Sequence, residues 1–197
     1  MLNNTAHLVL WNAFRKGDKE AFRQLYGLYA KDLLTYGRRA THDDLLIEDC
    51  VHDLFIELWQ SRANLSDTDS VKFYLFKSLR NKINHARVRE DRFESSDFSG
   101  LLHPTDDFQI EHQLIEQEGE QQVFSQLRKS FELLTPRQQE AINLRFYQHF
   151  SNEEVAQIMG VNYQSACRFI YAALKTLREA VRILSVFWCC YIPTFLI

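Results

Sequence analysis

Apolar residues recur every three to four positions along most of the region between residues 8 and 92. Asp18 is placed to cap a helix in which Ala21, Phe22, Leu25, Tyr26, Leu28 and Tyr29 continue into Leu33, Leu34 and Tyr36. That is the period of an amphipathic helix. A short polar break at 41–44 ends it. A second helix is predicted over about 46–59, with Cys50, Leu54, Phe55 and Leu58 inward and Glu48, Asp49, His52, Asp53 and Glu57 available to solvent. Residues 62–70 read as a polar loop. A third helix, over about 71–89, turns Phe73, Phe76, Leu79, Ile83 and Ala86 to one side. Lys77, Asn81, Asn84 and His85 lie on the other, with Arg80 and Arg87 at the border.

The period lapses over 93–119, where Ser95, Ser96, Ser99, Gly100 and Pro104 stand among acids, the mark of a linker. It resumes with Val123, Phe124, Leu127, Phe131 and Leu134. Thr135-Pro136 then predicts a new helix, Thr as cap and Pro in the first helical position, carrying Ile142, Leu144 and Phe146. Residues 151–178 carry the densest local signal. Ser151 with Glu154 is a capping box, and Val155, Ala156, Ile158 and Met159 give a short helix one apolar face. Gly160 supplies a left-handed turn position, and Asn162 is placed to cap a second helix. There Ala166, Ile170, Ala173 and Leu177 fall on one face and Gln164, Ser165, Arg168, Tyr171 and Lys175 on the other. This is a helix-turn-helix, a unit that offers its second helix to the DNA major groove. An ordinary helical hairpin would show the same local pattern. Residues 183–197 carry no charge.

The expected fold is therefore all-α: two small helical domains, 1–92 and 121–180, joined by an acidic flexible linker at 93–120 and followed by an apolar tail at 181–197. With 6 Gly and 3 Pro in 197 residues, an all-β fold with many turns is disfavoured. The net charge of −3 excludes a generally basic nucleic-acid coat, but its distribution is uneven. Residues 71–92 hold seven Lys/Arg against two acids, and 90–120 hold ten acids against one Arg. The four cysteines form no C-x-x-C pair, and the seven histidines are scattered. No metal site, cofactor or catalytic constellation is expected. The N-terminus becomes charged too soon for a signal peptide, so a reduced cytoplasmic setting is expected.

Taken in order, the two helical domains, basic aromatic helix, acidic linker and C-terminal helix-turn-helix resemble the extracytoplasmic-function (group 4) sigma factors of bacterial RNA polymerase. The likeness covers about residues 10–180. IEDCVHDLFIELWQSR at 47–62 is similar to the family's polymerase-binding helix, and FYLFKSLRNKINHARVR at 73–89 to the helix that reads the minus-ten promoter element. LTPRQQEAINLRFYQHFSNEEVAQIMGVN at 134–162 matches the pattern of the minus-thirty-five domain. The resemblance implies a non-enzymatic specificity subunit that binds core polymerase through its beta and beta-prime subunits, directs it to promoter DNA and helps open the duplex.

It also implies site residues: Glu48, Asp49, His52, Asp53, Phe55 and Trp59 toward polymerase; Lys77, Arg80, Asn81, Asn84, His85 and Arg87 toward minus-ten DNA; Gln164, Ser165, Arg168, Tyr171 and Lys175 toward minus-thirty-five DNA. Lys82 could add a phosphate contact, and Phe73 and Tyr74 could stack flipped bases, although Phe73 and Phe76 read more simply as core. By the same resemblance, the loop at 62–70 captures a flipped promoter base and the acidic linker threads the polymerase channels.

Several positions depart from the family. Cys167 stands where a Lys is common, and Phe169 and Ala172 where polar or basic residues are common. His85 and Ala86 replace the usual acid or amide and the following aromatic. The tail extends past the usual end of the fold, and its fifteen uncharged residues fall short of the roughly 20 that span a bilayer. Ordinary divergence toward a different promoter explains the departures. They also fit an anti-sigma factor or accessory DNA-targeting protein docked on the second domain and tail. A stand-alone helix-turn-helix transcription regulator is the alternative reading, and a sigma-mimicking interaction module a third. The regulator accounts for 121–180 but leaves the first domain unused.

Overall fold

The structure is a computed structural model that describes residues 4–40, 43–93 and 131–191, with side chains over 5–39, 43–88 and 131–179. The described residues form helices and turns and contain no strand. The linker at 93–120 and the stripe Val123, Phe124 and Leu127 lie outside the described residues, apart from the end of the helix that precedes the linker.

The first unit holds four helices: α1 (Asn4–Arg15), α2 (Lys19–Ala40), α3 (Asp44–Ser61) and α4 (Val71–Phe93). Asp18 caps α2 as its position predicts, its Oδ1 accepting from the backbone N–H of Glu20 at 2.8 Å and of Ala21 at 3.1 Å. Asp43 caps α3 by accepting from Leu46 N at 2.9 Å. Ser70 Oγ accepts from Phe73 N at 3.2 Å where α4 begins. The loop before it includes a 3-10 turn, Arg62–Asn64. Asp67 in this loop is tied to Arg15 of α1 by an ion pair.

Helix α1 is not among the predicted elements. It packs on α2 and delivers Trp11 and Phe14, both 1% exposed, to the core. Trp11 lies 5.4 Å from Phe14 and 5.3 Å from Tyr74, centroid to centroid. The predicted inward sets hold: Cys50, Leu54, Phe55 and Leu58 of α3 are buried, as are Phe76, Leu79 and Ile83 of α4. Full burial of such a side chain contributes about 1.5–3 kcal/mol relative to leaving it exposed.

The second unit holds α5 (Pro136–Ile142), α6 (Asn152–Met159) and α7 (Tyr163–Tyr191). Thr135 forms a full capping box with Gln138, and Pro136 stands at the first helical position. Beyond Ile142 the chain widens into a π-helical segment, Asn143–Tyr147. Phe146, predicted inside the preceding α-helix, belongs to this segment and is 47% exposed. Gln148 caps this segment, and His149 after it takes a left-handed φ of 59°. The chain then turns Phe150 inward, to 3% exposure.

The two units are packed on each other. Helix α5 lies against α2, and α6 against α4. One apolar cluster runs from Trp11, Phe14 and Leu33 through Phe76 to Leu144, Phe150 and Val155 without a break. No described helix is long and apolar enough to cross a membrane.

Candidate nucleic-acid interface

The helix-turn-helix is built by local chemistry. Ser151 and Glu154 exchange both bonds of a capping box at the start of α6. Gly160 ends that helix at φ 65°, ψ 36°, a left-handed conformation that costs glycine nothing. Two residues on, Asn162 Oδ1 accepts from Ser165 N at 2.8 Å and starts α7. Ala166, Ile170 and Ala173 are buried against the rest of the unit. Gln164, Arg168, Tyr171 and Lys175 are exposed, Tyr171 by 71%. Ser165 is half-buried. The presented set is thus polar and basic, and Lys175 makes a loose pair with Glu179 at 4.0 Å.

The departures in this helix have a packing explanation. Cys167, Phe169 and Ala172 are all half-buried, and Phe169 packs on the core. Asn152 Nδ2 approaches Cys167 Sγ at 3.6 Å. Hydrogen bonding to that thiol and its charge raise the Tyr163 phenol above its ordinary pKa. By helical spacing Ala172 lies between Arg168 and Ser165 on the presented side, with Cys167 and Phe169 flanking it, so these apolar groups are part of what that side offers. The apolar tail lies outside the described side chains.

Helix α4 presents a second face. Lys77, Asn81, Asn84, His85 and Arg87 are exposed along it. Lys77 Nζ also lies 5.5 Å from the Phe73 ring centroid. Lys82 reaches instead to α3, where its Nζ meets Glu57 Oε1 at 2.6 Å. Phe76 is fully buried and Phe73 half-buried, so Phe76 is core and offers no stacking platform.

Arg80 requires a correction. Expected at the border of the DNA-facing side, it is 6% exposed. Its Nε lies 2.6 Å from Glu140 Oε1 of the second unit, and its Nη2 donates to Glu140 Oε2 at 3.2 Å. Its Nη1 also bonds Asn84 Oδ1. Tyr36 donates its hydroxyl proton to Glu140 Oε1 at 2.9 Å. Burial, and then the Glu140 charge, raise that phenol well above its ordinary pKa, so it remains a donor. Lys72 Nζ donates to the Gln148 carbonyl at 3.1 Å, and burial lowers its pKa. Phe150 packs edge-on against Phe76, centroids 5.2 Å apart. Charge pairing, the Phe150 ring and the shared apolar core therefore close the two units over Arg80.

On α3, Glu48, Asp49, His52 and Asp53 form the exposed polar face that the spacing predicts. Arg38 lies 3.9 Å from Glu48, while Asp49 and Asp53 form no ion pair among the described residues. Phe55 is the second correction. It is 4% exposed, packs against Phe22 and Tyr26, and supports the helix from inside. Trp59 is half-buried against Phe14 and Phe22. The Arg62 guanidinium covers its ring at 4.5 Å.

Comparison with known proteins agrees with this two-part layout. The description "Sigma-70 region 2" matches residues 25–93, and "Sigma-70, region 4" matches residues 124–177. Together they take in more than half of the chain. Among solved structures, the chain is similar to CnrH in complex with the cytosolic domain of CnrY. The identity is 18%, the TM-score 0.57, and the match covers 90% of this chain and 98% of that one. It is also similar to the sigma factor RpoE of Bartonella quintana in complex with the anti-sigma factor NepR. There the identity is 22%, the TM-score 0.57, and coverage 82% and 97%. At such identities the likeness is one of fold. No curated protein matches the chain.

Proposed function

The chain belongs to the sigma-70 family, as a sigma factor of the extracytoplasmic-function type, and from that premise we propose how its surfaces divide the work of transcription initiation. It is a specificity subunit for core RNA polymerase and promoter DNA. It acts by binding, in the compartment that holds both, the cytoplasm.

The α3 face of Glu48, Asp49, His52 and Asp53 meets polymerase, with Phe55 and Trp59 setting its backing. The α4 face of Lys77, Asn81, Asn84, His85 and Arg87 meets the minus-ten strand, and Arg80 joins it when the two units part. The α7 face of Gln164, Ser165, Arg168, Tyr171 and Lys175 enters the major groove at the minus-thirty-five element.

The observation that carries this reading is the capped start of α7 with its exposed Gln164, Arg168, Tyr171 and Lys175. Side chains at the N-terminal part of a recognition helix reach base edges, and Arg and Lys also neutralise phosphates.

The test is reconstitution with core polymerase and initiation on promoter DNA selected from bound genomic fragments. Arg168→Ala with Lys175→Ala should weaken upstream duplex binding and reduce the slope of log K against log salt by about two, one per lost phosphate contact. Reversing charge at Asp49 and Asp53 should weaken holoenzyme assembly with helix content unchanged. Normal assembly and an unchanged salt slope in these variants would remove the assignment.

A further inference from the structure

The strip from Arg145 to Phe150 puts three rings in solvent within four residues. The π-helical segment ends at Tyr147, and the left-handed His149 follows. Between them, Gln148 and Phe150 turn inward, while Phe146 stays 47% and Tyr147 50% exposed, with His149 exposed beside them. Each of the first two rings has a guanidinium at hand. Arg145 Cζ stands 5.9 Å from the Phe146 centroid, and Arg39 Cζ of α2 stands 4.8 Å from that of Tyr147. We propose that this strip is a binding site for single-stranded nucleic acid, separate from the faces of α4 and α7, where bases stack on Phe146 and Tyr147 and phosphates meet Arg145 and Arg39.

Neighbouring open rings with cations beside them have the composition of a stacking platform. Every base offers a π-face, and the cations neutralise the phosphates between successive bases. A duplex keeps its bases stacked on one another, so such a platform selects unpaired strands. The cations also keep their charge. Arg145 Nη1 donates to the Phe150 carbonyl at 2.9 Å, and nearby Lys72 Nζ donates to the Gln148 carbonyl at 3.1 Å. A carbonyl holds a cation in place without cancelling it, and neither residue forms an ion pair among the described residues. The acid whose charge bears on Lys72 is Asp32. Arg80, by contrast, is matched by Glu140. The strip is also held still. Arg39 belongs to the first unit and Arg145 to the second, and the apolar core that runs through Leu144 and Phe150 fixes their separation. A preformed platform binds without a further loss of freedom in its own side chains.

Fluorescein-labelled oligothymidine and oligouridine, titrated against the full-length chain by anisotropy, test the site. Lys77→Ala with Arg87→Ala serves as the background, so that strand held by α4 does not enter the measurement. Binding should persist in that background. Adding Phe146→Leu and Tyr147→Leu keeps the apolar bulk and removes the π-faces. It should weaken binding about tenfold or more, since one stacked base alone is worth roughly 5- to 150-fold. Arg145→Gln should lower the slope of log K against log salt by about 0.7, the loss of one single-strand phosphate contact. Equal binding of the two oligomers supports a site for any single strand. Preference for oligouridine supports the site and identifies RNA as its ligand, through the 2′-hydroxyl.

Unchanged affinity after loss of both rings, or no binding in the α4 background, overturns the proposal and leaves the sigma reading intact. If loss of the rings weakens binding of core polymerase and not of oligonucleotide, the strip is a protein contact and the proposal falls. Should the ring variant lose helix content, the wild-type chain decides. Ultraviolet crosslinking to an oligomer that carries 5-iodouracil should label the peptide holding Phe146 and Tyr147, and labelling confined to α4 or α7 overturns the site.

Discussion

Gly37→Ala should destabilise the first unit, and the size of the loss follows from how closely α2 and α3 approach. Inside a helix, Ala is better than Gly by about 0.8–1.0 kcal/mol. A Cβ at Gly37, however, would lie 2.5 Å from Ile47 Cγ2 and 3.4 Å from its Cγ1. Ile47 is fully buried in α3 and has no space to retreat. Overpacking by a methyl group costs about 1–3 kcal/mol in a filled core. The net loss should be up to about 2 kcal/mol once the helix-propensity gain is subtracted. Gly27 is the control in the same helix: it is exposed, and a Cβ there meets nothing within 4 Å. Gly27→Ala should collect the propensity gain alone. The difference between the two variants isolates the clash. Thermal unfolding followed by helical circular dichroism reads it, since 1 kcal/mol moves the midpoint of a small domain by about 4–8 °C. Equal midpoints for Gly37→Ala and Gly27→Ala would mean that the two helices do not approach at this point, and the packing of α2 on α3 would have to be redrawn.

Asn162→Ala removes the side-chain acceptor for Ser165 N. It should cost about 1 kcal/mol and weaken upstream duplex binding, while Asn162→Asp keeps the cap and restores both, read by melting and by duplex titration. The Glu20 carboxyl, at the start of α2, is held down to about 2 from its ordinary 4.5, first by its hydrogen bond from Arg23 and then by that from Gln24. A depressed carboxyl gives stability that is complete above its unfolded pKa and is lost as pH falls through the folded one. The stability advantage of wild type over Glu20→Gln should therefore be full above about pH 4.5 and fade toward about pH 2, as read by urea unfolding across that range. An advantage that stays constant with pH would show that the Arg23 pairing is not what Glu20 supplies.

Features of the fold set by neighbours in sequence were readable from it. Ser151 with Glu154, Thr135 before Pro136, Gly160 and Asn162 each act within a few residues, so spacing alone identifies their roles. The inward sets of α3 and α4 were equally legible, because burial there follows the helical period. Leu8 and Trp11, three apart and followed by Phe14, carry the same periodic signal for helix α1, but only over a short run that turns polar at Arg15. The π-helical widening at Asn143–Tyr147 has no comparable local mark. Arg80 was placed at the DNA border because its own helix puts it there. What buries it is a carboxylate 60 residues away, on an element whose docking depends on the whole assembly. Phe55 was misplaced for a related reason. Resemblance put it on the polymerase-binding helix, while its position among Cys50, Leu54 and Leu58 already assigned it to the inward side.

The recognition helix does not stop where the helix-turn-helix does. Helix α7 runs from Tyr163 to Tyr191, 29 residues without a break, or about 44 Å at ~1.5 Å per residue. The residues proposed to face the major groove stand at one end of this helix, and the uncharged run that begins at residue 183 enters its other end. An unbroken helix passes on tilt, so a few degrees of swing imposed at the far end would displace the side chains proposed to read the groove. On the proposed reading of α7, whatever holds the far end of this helix would bear on the angle at which its first turns meet DNA.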